Sequence, residues 1–157
     1  MPKLDYELDL DTYERAAPHF VIVTMDLVLA HDRDVLIVHA TEGVMAGHWT
    51  LPSGRLDPRR DEQCLDMCHF ARILLHRHLG LMNSGHVQLT GEQLRRQEDR
   101  TYLAKTAFIR CIGSRPKITP ANKYREARWV NPFWIGPSDG INRELVNTMT
   151  SALTRTI

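Results

Sequence analysis

Leu51–Leu81 reads LPSGRLDPRRDEQCLDMCHFARILLHRHLGL. A brief strand enters a tight turn at Ser53-Gly54, and a long helix is predicted from about Asp61 to Leu79, closed by Gly80 in the C-cap position. At about 100° per residue, Cys64, Cys68, Ala71, Leu75 and Leu79 share one arc, which is expected to face a sheet. Asp66, His69, Arg72 and His76 fall roughly opposite, toward water. Between them runs a third stripe, Met67, Phe70, Leu74, Arg77 and His78, apolar at its start and cationic at its end. The segment opens and closes like a phosphate-handling loop and helix, yet no carboxylate follows Asp66 in it.

The flanking sequence supplies a sheet for that helix. HFVIVTMDLVLAHDRDVLIVHA is two β-branched apolar runs joined by His31 to Asp34, a hairpin pattern. HVQLTGEQL and RTYLAKTAFIRCIG read as strands, and EARWVNPF as a shorter one. INRELVNTMTSAL is an amphipathic helix, and DTYERAAP a short one capped by Asp and ended by Pro. Strands on both sides of one long helix, with a second helix at the end, imply an α/β layered domain. No internal repeat or flexible linker divides the chain, so one domain over residues 1–157 is expected, with 1–18 as an N-terminal extension.

Composition narrows the partners. The chain has 157 residues, 43% hydrophobic and 25% charged, and is large enough to form one core without a disulfide or structural metal. Twenty Lys and Arg against nineteen Asp and Glu leave a net charge of +1, giving no overall field for nucleic acid or a membrane surface. There is no long apolar run and no secretory signal pattern, and the three cysteines suit reduced thiols, so the cytoplasm is the expected location. Cys64, Cys68, His69 and Cys111 lack the paired loop spacing of a zinc ribbon. Ser53 near His48 lacks the elbow of a serine hydrolase.

HWTLPSG, HLGL and EARWVNPF together resemble the Nudix hydrolase family: the strand and turn that open its signature box, the close of the box, and the Glu-x-x-Trp strand that often follows. The resemblance implies a Nudix-type α/β/α sandwich with a mixed central sheet, whose loop and helix cradle a pyrophosphate and its magnesium. The box is Gly-x5-Glu-x7-Arg-Glu-U-x-Glu-Glu-x-Gly-U, with U a bulky aliphatic residue. Gly54 to Gly80 is 26 positions here against 21 in that pattern, placing about five extra residues near DPRRDEQ. Counted back from Gly80, the arginine of the box falls on Ile73, its next glutamate on Leu74, and its last two on Arg77 and His78. Magnesium binds through hard oxygen ligands, and a guanidinium close to its site would oppose it by on the order of 4 kcal/mol at an effective dielectric near 20. No metal site of the usual kind is therefore expected, and no cofactor; magnesium would enter only through a relocated site at Asp57, Asp61 and Glu62.

Within the family, the chain is similar to the GDP-mannose mannosyl hydrolase branch in carrying Leu74 and a long N-terminal segment. That branch's metal-binding Glu, late Gln and histidine base would fall on His78, near Lys123 and near Tyr124, and none of the three matches. Fixed cations offer another way to hold phosphate. Arg55 beside Gly54, Arg77 and His78 on the helix, and Lys123 are expected to converge on a diphosphate, with His78, Tyr124, Glu126 and His48 as candidate proton-transfer groups. Met67, Phe70 and Leu74 enlarge either the core or an apolar cavity, one that Trp49, Trp129 and Trp134 would help to line.

The expected function is a divergent Nudix-fold protein that binds a nucleoside diphosphate derivative such as a nucleotide sugar, with weak or absent metal-dependent hydrolysis. The alternatives are a non-catalytic sensor of the same fold and a metal-independent enzyme acting on an apolar metabolite. Family analogy adds a homodimer.

Overall fold

The computed structural model describes residues 15, 17–19, 21–43, 45–56, 66–82 and 85–155. Asp57, Asp61, Glu62, Cys64 and most of the expected N-terminal helix lie outside them. Among the described residues seven strands form one mixed sheet: β1 (Val21–His31), β2 (Asp34–Ala40), β3 (Trp49–Thr50), β4 (Ser53–Arg55), β5 (Val87–Gln97), β6 (Arg100–Arg110) and β7 (Tyr124–Val130). Helix α1 (Met67–Leu79) covers one face and α2 (Arg143–Arg155) the other.

The sheet order is β3-β2-β1-β6-β5, with β4 added to β1 and β7 to β2. β1 and β6 run parallel in register from Val21 opposite Thr101 to Ala30 opposite Arg110, and every other pairing is antiparallel. Side chains alternate along β1. Met25, Leu27 and Leu29 meet Phe70, Leu74 and Leu75 of α1, while Val28 and Ala30 meet Met149 and Leu153 of α2. Each helix thus buries its apolar side against one face of the sheet, and the hydrophobic effect holds the three layers.

One departure from regularity makes room for a site. β1 pairs with β2 only at Ala30 and His31; beyond that β2 diverges, and β4 takes over the edge of β1 opposite Thr24, Met25 and Asp26. The sheet therefore splits along β1. β7 adds a bulge, two residues standing opposite the His39–Ala40 step. Its effect on phase is large: Tyr124 shares the α1 face with Ala127 and Trp129, whereas Glu126 and Arg128 point to the other face.

The helix begins later than its sequence pattern predicts. Asp66 is extended (φ −160°, ψ 178°) and its side chain accepts the His69 N–H at 2.7 Å, an N-cap that starts α1 at Met67 rather than near Asp61. At the other end Gly80 adopts φ 69°, the left-handed conformation that glycine takes at no steric cost.

Candidate functional site

The C-terminal carbonyls of a helix have no partner within it. In α1, the His78 and Leu79 carbonyls accept backbone N–H groups of Ala121 (2.9 Å) and Thr119 (3.0 Å). This pins the segment before β7 against the helix end, and so brings Lys123 and Tyr124 beside His78. The Tyr124 hydroxyl accepts the Ser53 N–H at 3.1 Å, lies 3.2 Å from the Ser53 carbonyl and stands 3.4 Å from Nδ1 of His78. The Lys123 ammonium donates to the same Ser53 carbonyl at 2.8 Å and lies 5.0 Å from the Tyr124 ring centroid. Helix end, β4 turn and β7 are thereby tied at one point.

A cleft of about 1160 Å³ opens there, in the split of the sheet. His78, Gly54, Arg55, Lys123 and Tyr124 contribute to its wall, joined by Thr24, Asp26, Glu42, Ser53, Arg95 and Tyr102. Arg55, Arg95 and Lys123 face it with positive charge, and Asp26 and Glu42 with negative. Burial pushes the Tyr124 phenol up to about 12, opposed by its hydrogen bond to Ser53 and reinforced by the charge of Asp26. It therefore stays protonated at neutral pH.

The close approach of α1 explains the glycine in the turn. A Cβ on Gly54 would stand 2.4 Å from Cδ2 of Leu74 and 3.0 Å from Cε1 of His78, so only a bare backbone fits against the helix here. Leu74 and Phe70 are wholly buried and Met67 packs on the same core, so these three are packing residues rather than the lining of an apolar cavity. The tryptophans do not line the cleft either: Trp129 packs on the α1 side, Trp49 on the α2 side, and Trp134 is 85% exposed.

Arg77 and Glu126 also lie outside the cleft. Arg77 is half-buried but outside the cleft wall, because one step of about 100° turns it away from the side that His78 presents. Glu126 is carried by the β7 bulge to the face opposite Tyr124, where it pairs with Arg128 at 3.1 Å.

Asp26 and Arg95 were not visible as site residues in the sequence. Asp26 interrupts the apolar run VIVTMDLVLA, and an isolated acid within a central strand was the available signal. Its carboxylate is 19% exposed and lies 3.7 Å from the Arg95 guanidinium. Desolvation raises its pKa above the ordinary carboxylate value, against the opposing pull of Arg95.

No family sequence profile and no curated protein sequence matches the chain. Solved structures do match it in shape. The Nudix domain of Shewanella oneidensis NrtR, solved in complex with ADP-ribose, superposes with a TM-score of 0.68 at 14% identity over 96% of this chain and 100% of that one. A MutT protein from Methanosarcina mazei gives 0.66 at 12% identity over 87% and 95%, and an Ap4A hydrolase from C. elegans 0.63 at 14% over 87% and 100%. The chain has the Nudix fold.

The residues that the sequence resemblance aligns with the acids of a magnesium-binding box do not fit that ion: counted back from Gly80 they are Leu74, Arg77 and His78, of which Leu74 is sealed in the core and none offers a carboxylate oxygen. Among the described residues no three His, Cys, Asp or Glu side chains come together to hold a metal ion. Burial pushes the Cys111 thiol up to about 11, away from the thiolate that zinc requires. No helix among the described residues is long and apolar enough to cross a membrane.

Proposed function

We propose that this chain binds a nucleoside diphosphate derivative, such as a nucleotide sugar, in the cleft beside Gly54, with metal-dependent hydrolysis weak or absent. The observation that carries the reading is the cleft wall itself. Arg55, Arg95 and Lys123 present cations to it, while α1 presents His78 and packs Leu74 against Gly54 at positions where the sequence resemblance would put acids. Guanidinium groups contact phosphate oxygens at two points, and a lysine held by Ser53 supplies a fixed point charge. ADP-ribose, bound by the Shewanella domain, and Ap4A, the substrate named for the C. elegans enzyme, each carry a nucleoside on a chain of phosphates, which supports this ligand class. Leu74 fits a divergent relative of the GDP-mannose mannosyl hydrolase branch, while His78 stands where that branch keeps a metal-binding Glu, which is why hydrolysis is expected to be weak or absent.

The test is a panel of GDP- and UDP-sugars and ADP-ribose, followed by thermal stabilisation and by product formation, with magnesium and with chelator. Ligand at a hundred times its Kd adds about 2.7 kcal/mol to stability, and that gain is expected to survive chelation. Rapid turnover that requires magnesium and disappears with chelator would overturn the reading.

A non-catalytic sensor is the second reading, favoured by how the proton-transfer candidates are engaged. His78 faces the Tyr124 hydroxyl, Tyr124 holds its proton to about pH 12, and Glu126 lies on the other face of β7. That reading expects stabilisation by ligand with no product at all.

A further inference from the structure

The row of β1 side chains that meets α2 continues past Ala30 and Val28 to Asp26, which stands opposite Ser53 of β4. An apolar residue would serve the sheet better at this position. Asp26 is only 19% exposed while its partner Arg95 is 42% exposed; burying a charge costs stability that such a partner only partly offsets, and the raised pKa of Asp26 records that cost. Its partner also comes from a distance. Arg95 belongs to β5, which is separated from β1 by β6, so its side chain spans a strand to reach Asp26, and both residues line the cleft with Ala104 of β6. At 3.7 Å the pair is longer than a hydrogen bond, so the carboxylate keeps acceptor capacity toward the cleft.

An ionised carboxylate only accepts hydrogen bonds, with two oxygens side by side, and a guanidinium only donates. We infer that Asp26, with Arg95 beside it, selects the ligand by reading a group that places two adjacent hydrogen-bond donors next to an acceptor. This rests on the proposal that the cleft takes a nucleoside diphosphate derivative. Two parts of such a ligand have that chemistry. The guanine edge offers N1–H and N2–H beside O6, and a sugar offers a vicinal diol next to a phosphate oxygen. Adenine sets a single donor beside the bare N1 acceptor, which a carboxylate repels. Uracil flanks one N–H with two carbonyls.

Titration calorimetry of the full chain with GDP, ADP, UDP and UDP-glucose separates these sources. Guanine recognition makes GDP bind more tightly than ADP and UDP, whereas diol recognition makes UDP-glucose bind more tightly than UDP. In either case Asp26→Asn, which trades one acceptor for a donor, is expected to remove the preference and weaken the favoured ligand by about 10- to 100-fold, the range for a charge-assisted hydrogen bond. Arg95→Gln, on an exposed edge strand, repeats the test without altering the buried carboxylate position. Affinities and rank order unchanged in both variants, within about twofold against that range, would overturn the inference and leave the proposed function standing. If none of the four ligands binds the unaltered protein, the proposed function itself fails, and the inference with it.

Discussion

The Tyr124 hydroxyl stands 3.4 Å from Nδ1 of His78 and engages both the N–H and the carbonyl of Ser53. One phenol therefore joins the last turn of α1 to the turn that enters the cleft. Removing it in Tyr124→Phe leaves the Ser53 N–H without this acceptor in a part-buried place, and a loss of about 1–3 kcal/mol in unfolding free energy is expected. Chemical denaturation measures it; a change close to zero would show that the bridge does not hold the turn.

The same phenol provides a pH signature. Tyr124 ionises at about 12 in the folded protein, against 10.0 for a free phenol. The folded state thus holds this proton more tightly than the unfolded chain, so its contribution to stability is complete below pH 10 and is lost as pH rises toward 12. The ultraviolet difference titration between the parent and Tyr124→Phe is expected to rise near pH 12, and a rise near pH 10 would contradict the burial of this group.

Gly54→Ala places a methyl group against Leu74 and His78, the nearer carbon at 2.4 Å. Overpacking of this kind costs about 1–3 kcal/mol. Leu74→Ala creates a cavity and is destabilising alone, by about 2–5 kcal/mol. Combined, the two changes are expected to cost less than their sum, because the new methyl group enters the space that the leucine leaves. Strict additivity in the double-mutant cycle would refute this contact.

Asp26→Asn is expected to stabilise the protein at neutral pH while weakening ligand binding. The folded-state pKa of Asp26 is raised from 3.8, so the folded protein binds the proton more tightly, and stability falls as pH rises through that raised value. An amide carries no such penalty. Arg95 is 42% exposed and loses little with its partner. Each kcal/mol gained appears as about 2–4 °C in Tm, and the advantage is expected to vanish below pH 3.8. A lower Tm for Asp26→Asn at neutral pH would mean that the pair supports the fold instead.

The layers of this protein could be read directly from local pattern. The turn at His31 to Asp34, the Gly80 cap and the division of α1 into sheet-facing and water-facing sides all follow from periodicity and backbone chemistry, which act over a few residues. Gly54, Arg55 and His78 were legible through the spacing of the box, Lys123 and Tyr124 through the likeness to the mannosyl hydrolase branch, and the structure brings the five to one cleft. What was hidden depended on distance. Glu126 carries the same sequence signal as its neighbours, yet the pairing of β7 with β2 sets its phase through a bulge that only the partner strand reveals. Arg95 resembles any charged residue on an edge strand until the strand order shows that its side chain reaches Asp26, two strands away. Leu74 and Phe70 were ambiguous between core and cavity because helical spacing is the same for both.

The seat of Leu74 also limits what chemistry α1 can carry. A glutamate at this position would enter a place with no solvent exposure, pressed against the turn at Gly54, and ionising it there would cost several kcal/mol. An acid could serve the cleft from this turn of the helix only if the interior opened to water first, so any single exchange here is penalised in folding before it can gain in reactivity.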